Sequence, residues 1–181
     1  MIVSGQRIEE LFGEAEIARE VERIAREIEA GLPKDGAGLL VLCVLKGAFV
    51  FTADLIRALS RLGVSPEVDF LSVSSYGAGR TSGELRLTRD IEGSVAGRDV
   101  VIVEDILESG RTLAFAGDLA RTRGARSVRS VVLLDKRGHR KADIEPDHLG
   151  FVCPDKFVAG YGMDAGYRFR ELPFVGAVTE D

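Results

Sequence analysis

Apolar positions follow two rhythms along the chain. Ile17, Val21, Ile24 and Ile28 recur at spacings of four, three and four, with Glu and Arg between them. That spacing predicts one face of an amphipathic helix, closed near Gly31 as the residue after its last turn. Leu39 to Leu45 is instead seven apolar residues without alternation, which suits a strand buried on both faces of a helix-covered parallel sheet. Helical spacing returns over 48–62 through Phe51, Leu55, Ile56 and Leu59. Further strands are expected over 68–74, 100–103, 128–134 and 149–152, and a helix over 113–123. This alternation predicts an α/β fold with a mainly parallel sheet built from βαβ units. No internal repeat, low-complexity tract or linker divides the 181 residues, so one domain over 1–181 is expected.

Residues 76–83 break the pattern, with three glycines and almost nothing to bury. Such a stretch reads either as an exposed hairpin loop or as a mobile lid over a site.

Composition narrows the class. Hydrophobic residues make up 45% and charged residues 29%, enough for a core and unlike a disordered chain. Lys plus Arg is 24 against 29 for Asp plus Glu, and the net charge of −5 argues against a broad basic surface for nucleic acid or anionic lipid. The longest apolar run, residues 37–45, ends at Lys46 and falls far short of the ~20 residues a spanning helix needs. Residues 1–10 carry neither a basic start nor an apolar stretch, so no secretory signal is expected. Cys43 and Cys153 sit in apolar contexts and are expected as free thiols in a reducing cytoplasm. His139 and His148 fit no metal spacing and are expected in loops.

The densest chemistry lies in Val103-Glu104-Asp105-Ile106-Leu107-Glu108-Ser109-Gly110-Arg111-Thr112-Leu113. A buried strand delivers two carboxylates at its C-terminal end, where open α/β sheets bind their ligands. A short loop with hydroxyls, a glycine and a cation then enters a helix, whose free N–H groups form an anion site. Ser109 and Thr112 can donate to phosphate oxygens, Gly110 permits close backbone approach and Arg111 adds charge. Carboxylates repel phosphate, so Glu104 and Asp105 suit sugar hydroxyls or a phosphate-bound Mg²⁺. Together these features point to a sugar phosphate. No G-x-G-x-x-G follows a strand and no G-x-x-x-x-G-K-[ST] exists, which leaves dinucleotide and P-loop folds unsupported. A receiver domain would place such a strand near its start, but only 77 residues follow Glu104.

The segment resembles the phosphoribosyl diphosphate-binding motif of type I phosphoribosyltransferases. Leu45-Lys46-Gly47-Ala48 is similar to the pyrophosphate loop of the hypoxanthine-guanine phosphoribosyltransferase family. Residues 154–164 (Pro-Asp-Lys-Phe-Val-Ala-Gly-Tyr-Gly-Met-Asp) resemble its purine-binding segment. Ser74-Ser75-Tyr76-Gly77 is similar to the start of its mobile loop, and Leu134-Asp135-Lys136-Arg137 to the stretch holding its base-reading lysine. The resemblance runs in order from about residue 12 to 178.

It implies a central, mainly parallel sheet flanked by helices, with a small hood and a mobile loop containing Ser75 and Tyr76. Glu104 and Asp105 would hold the ribose hydroxyls, and Glu108, Ser109, Gly110, Arg111 and Thr112 would cradle the 5′-phosphate. Lys46 and Gly47 would contact pyrophosphate, often through a non-proline cis peptide, and Arg170 would join them. Lys136 would donate to the purine O6, Phe157 would stack on the ring and the Val158 backbone would read the base edge. Asp164, with Glu104 and Asp105, would supply oxygen ligands for Mg²⁺. The substrates would be phosphoribosyl diphosphate and a 6-oxopurine, in a cytoplasmic homodimer or homotetramer without nucleic-acid or membrane partners.

One position departs from the family, which usually has Asp where this chain has Glu108. That residue is the family's proton partner near purine N7, so Glu108 is expected to be the catalytic acid–base. Glu has a similar intrinsic pKa, but its extra methylene shifts the carboxylate by about 1 Å, a distance to which catalytic geometry is sensitive. The implied activity is purine salvage, giving a nucleoside 5′-monophosphate and pyrophosphate from hypoxanthine and guanine. Two other readings stay open: a regulator of the same fold that binds RNA or a protein, and an enzyme preferring xanthine or another base.

Overall fold

The computed structural model describes residues 2–3, 6–34, 38–75 and 85–180. The chain begins with β1 (Ile2–Val3), β2 (Gln6–Phe12), α1 (Glu14–Ala30), β3 (Leu39–Leu45), α2 (Phe49–Arg61) and β4 (Glu67–Ser75). It continues through β5 (Leu85–Arg89), β6 (Asp99–Leu107), α3 (Arg111–Thr122), β7 (Ser127–Asp135) and a 3₁₀ turn, Arg137–His139. Then follow β8 (His148–Val152), β9 (Val158–Ala159) and β10 (Val175–Glu180).

The uninterrupted apolar runs explain the main sheet, of order β5-β4-β3-β6-β7-β8, in which only the β4–β5 pairing is antiparallel. Successive side chains alternate between faces. Val41, Cys43, Val101, Val103, Val131 and Leu133 meet α1 and α2 on one face. Leu40, Leu42, Val44, Val100, Ile102 and Val132 meet α3 on the other. Neither face sees water, so neither can carry the polar half of an alternating pattern.

A second sheet, β1-β2-β10-β9, is antiparallel throughout and forms the hood. Ile8, Ala159, Ala165, Phe169 and Leu172 make its small core.

Several expectations need adjustment. The strand expected over 100–103 runs on to Leu107, held by its pairing with β7. The helix expected from 113 begins at Arg111. His148 is no loop residue: it opens β8, and its Nδ1 lies 3.0 Å from Glu27 on α1. His139 lies in the 3₁₀ turn, with Nε2 3.1 Å from the Asp155 carboxylate. The 76–83 loop, Tyr76 included, falls outside the described residues. Its flanking strands β4 and β5 pair antiparallel, with Ser75 opposite Leu85. Both cysteines are buried and free. Among the described residues, no helix is long and apolar enough to cross a membrane.

Candidate active site

The site arises because two neighbouring strands end at different heights. Pairing between β3 and β6 stops at Cys43 opposite Val103, whereas β6 stays beside β7 until Leu107 faces Asp135. Glu104 and Asp105 therefore lie on a flank of β6 that β3 has left. Asp105 Oδ2 reaches the β3–α2 turn at Gly47, while Glu104 is only 7% exposed.

Asp105 opens onto a cavity of about 400 Å³ at the C-terminal edge of the sheet. Lys46 and Gly47 from the β3–α2 turn line it, with Glu108 and Lys136 from the ends of β6 and β7. The hood side contributes Phe157, Val158, Met163, Asp164 and Arg170. Glu104, Ser109, Gly110, Arg111 and Thr112 are outside this lining.

The β3–α2 turn contains a cis peptide between Leu45 and Lys46. Gly47 is wedged between two neighbours. A Cβ there would lie 1.7 Å from Asp105 Oδ2, and a Cβ on Gly162 would lie 2.3 Å from the Gly47 carbonyl oxygen. Glycine at both positions lets three segments converge.

The loop after β6 also depends on glycine. Gly110 has φ +76°, the left-handed region, and a Cβ on it would meet Ile144 Cγ2 at 2.7 Å. The turn delivers Ser109, Arg111 and Thr112 to the N-terminus of α3, where Arg111 N–H donates to Ser109 Oγ at 3.4 Å. First-turn N–H groups beside two hydroxyls and a cation form an anion-binding arrangement.

On the opposite wall, Lys136 is only 8% exposed, and its backbone N–H donates to the Leu107 carbonyl at 2.9 Å. Phe157 is 60% exposed, unusual for an aromatic serving only to pack. Val158 is buried in β9 against β10. Lys136 and Phe157 thus present a cation and an open ring face to the same space.

Asp164 and Arg170 hold each other. One guanidinium NH of Arg170 donates to Asp164 Oδ1 at 2.6 Å and the other to the Gly162 carbonyl at 2.6 Å. Asp164 Oδ2 accepts from Tyr167 N–H at 2.8 Å. Burial raises the pKa of Asp105; the Asp164 charge adds to this, while the N–H groups of Asp105 and Ile106 and the Arg170 charge oppose it. Burial, then the Asp105 charge, pushes Glu104 up to about 8 against the pull of Arg140. One Glu104 oxygen, Oε2, is buried without a partner.

Among the described residues, no three His, Cys, Asp or Glu side chains cluster closely enough to form a metal cage. Asp105 and Asp164 nonetheless face one cavity. Two carboxylates suit Mg²⁺, which keeps most of its coordination for water and substrate phosphates.

A larger groove of about 570 Å³ lies between α1, α2 and the hood and shares Arg170 with the site. It is lined mainly by apolar groups such as Ile17, Val21, Phe49 and Leu172, with Asp54, Tyr161 and Arg170 among the polar ones.

Reasoning from sequence missed Met163, in the cavity wall, and Arg140, which donates to the Glu108 carbonyl at 3.2 Å. Arg140 belongs to a run of cations that reads as a solvated turn; its spacing from Lys136 carries no signal of its own.

The chain matches the phosphoribosyl transferase domain family over residues 8–165. It is 46% identical over 94% of its length to the bifunctional protein TilS/HprT of Listeria innocua, of which it spans about a quarter (26%). It is 43% identical to the hypoxanthine-guanine phosphoribosyltransferase of Bacillus subtilis, covering 93% of this chain and 91% of that one. A solved structure of Trypanosoma cruzi hypoxanthine phosphoribosyl transferase superposes with a TM-score of 0.89 at 37% identity, covering 99% of this chain and 94% of that one. On these likenesses the chain belongs to the hypoxanthine-guanine phosphoribosyltransferase family.

Proposed function

We propose that this chain transfers the phosphoribosyl group of phosphoribosyl diphosphate to hypoxanthine, and to guanine, as a purine salvage enzyme. The carrying observation is the cavity that gathers Lys46, Asp105, Lys136, Asp164 and Arg170 from strand β6 and three separate loops at one end of the sheet. N9 of the purine attacks C1 of the ribose as the bond from C1 to pyrophosphate breaks. The products are the nucleoside 5′-monophosphate and pyrophosphate.

Lys136 donates to the purine O6, Phe157 stacks on the ring and the Val158 backbone borders the base edge. Glu108 exchanges the purine proton near N7. Ser109, Gly110, Arg111 and Thr112 hold the 5′-phosphate at the α3 N-terminus. Asp105 and Glu104 take the ribose hydroxyls. Lys46, Gly47 and Arg170 meet the charge that builds on the departing pyrophosphate. Asp105 and Asp164 are the residues that would hold Mg²⁺, which when bound neutralises polyphosphate charge. The 76–83 loop, entered through Ser75 and Tyr76, is assigned the exclusion of water from the oxocarbenium-like transition state. The working form is a cytoplasmic homodimer or homotetramer.

Spectrophotometric turnover of hypoxanthine, guanine and xanthine, with phosphoribosyl diphosphate and Mg²⁺, tests the reading. Hypoxanthine should be converted, and excess chelator should stop the reaction. Conversion of xanthine alone would transfer the assignment to another base, and no conversion of any base would favour a regulator.

A further inference from the structure

Arg140 ties the two halves of the site together without lining it. Its side chain leaves the 3₁₀ turn, is 17% exposed and reaches back across the end of the sheet. One guanidinium NH donates to the Glu108 carbonyl at 3.2 Å, and the other to Asp135 Oδ1 at 2.5 Å. The Asp135 side chain is fully buried immediately before Lys136. The strap continues along the backbone, where the N–H groups of Lys141 and Ala142 donate to the Ser109 carbonyl at 2.9 and 3.0 Å. Gly110 makes room beneath it, since a Cβ there would lie 3.3 Å from Arg140 Cδ.

The position of this contact matters. The β6–β7 ladder ends at Leu107 opposite Asp135, followed by a last bond from Lys136 N–H to the Leu107 carbonyl. Glu108 lies just past that end on one side and Lys136 on the other. A planar guanidinium fixes two acceptors at once, which a flexible ammonium does not. We infer that Arg140 is a positioning residue for the transfer step, setting the separation between Glu108, which opens the phosphate loop and reaches purine N7, and Lys136, which reaches purine O6. This inference rests on the transferase reading above.

Each half-site can still hold its own substrate without Arg140; what is lost is their relative placement. Such a loss falls on kcat rather than on KM. Steady-state kinetics of Arg140→Gln and Arg140→Lys beside the parent chain test this. In Arg140→Gln, kcat should fall about tenfold or more while both KM values stay within about threefold, and Arg140→Lys should lie between. A raised KM for phosphoribosyl diphosphate with kcat intact would make Arg140 a phosphate ligand and overturn the inference. A lowered Tm with unchanged kcat and KM would reduce Arg140 to a structural contact and overturn it equally.

Amide exchange on the substrate-free protein tests the clasp separately. Peptides spanning 105–112 and 135–142 should both exchange faster in Arg140→Gln, with α1 and α2 unchanged. Unchanged exchange, or loosening of one segment alone, overturns the clasp. If the parent chain converts no base, the transferase reading falls, while the exchange result still decides the clasp.

Discussion

Glu104 shows what a single side chain can cost a fold. It is 7% exposed, with one oxygen unpartnered, and its pKa is pushed up to about 8 by burial and then by Asp105. The folded chain keeps this proton up to about pH 8, whereas an unfolded glutamate releases it near 4.5. Between those limits the folded state binds more protons, so this group lowers stability as pH rises through the window. Glu104→Gln should remove that slope. In metal-free buffer the variant should be more stable than the parent by roughly 2–5 kcal/mol at pH 9, and the two should converge near pH 4–5. Thermal unfolding across this range is the measurement, and an undiminished slope in the variant would place its origin elsewhere. A destabilising carboxylate kept at the end of a buried strand is the usual compromise between function and stability.

Among the elements, the turns carry the site, and two glycines separate its geometry from its stability. A Cβ at Gly47 meets the end of the Asp105 side chain, which can rotate away. Gly47→Ala should therefore cost activity by at least tenfold, with a Tm near the parent's. A Cβ at Gly162 instead meets the backbone carbonyl of Gly47, at a φ of +99° that L side chains rarely adopt. Gly162→Ala should cost activity and also about 1–3 kcal/mol of stability, measured as ΔG of unfolding. A similar contrast between buried and local features governs what the sequence alone reveals. The cores of β3, β6 and β7 are legible because strands buried on both faces must be continuously apolar. β2 is not, since among its residues 7–12 only Ile8 is fully buried, against the small hood core. Nor is β5, a sheet-edge strand whose Leu-Arg-Leu-Thr-Arg has no fully buried residue, nor β9, too short to show a period. Asp105 can be placed at the site from its position after an apolar strand. That Glu104 stays out of the cavity lining cannot be read in this way, because it depends on the course of β6 beside β7 beyond Val103.

The whole molecule works by mounting the hood on the sheet in one orientation. The Tyr161 hydroxyl, on a buried residue of the hood segment, donates to Asp54 of α2 at 2.7 Å. Its pKa is raised by burial and by that hydrogen bond, which holds the phenol as a donor. Tyr161→Phe removes the link while keeping the ring, a loss worth about 0.5–1.5 kcal/mol. Tm should fall by about 2–4 °C for a chain of this size, and amides of 160–170 should exchange faster. Unchanged exchange there would mean that apolar packing alone seats the hood.

The hood also joins distant parts of the chain: the Thr179 hydroxyl donates to the Arg7 carbonyl, 172 residues away. A ribosome adds about 5–20 residues per second, so β2 waits about 9–35 s for β10. Every strand of the main sheet lies between Leu39 and Val152, and that layer can assemble during the wait. The loop bearing Asp164 and Arg170 gains its final anchor only when β10 arrives between β2 and β9. A nascent chain thus acquires its core before its chemistry, because β10 leaves the ribosome after every strand of the main sheet.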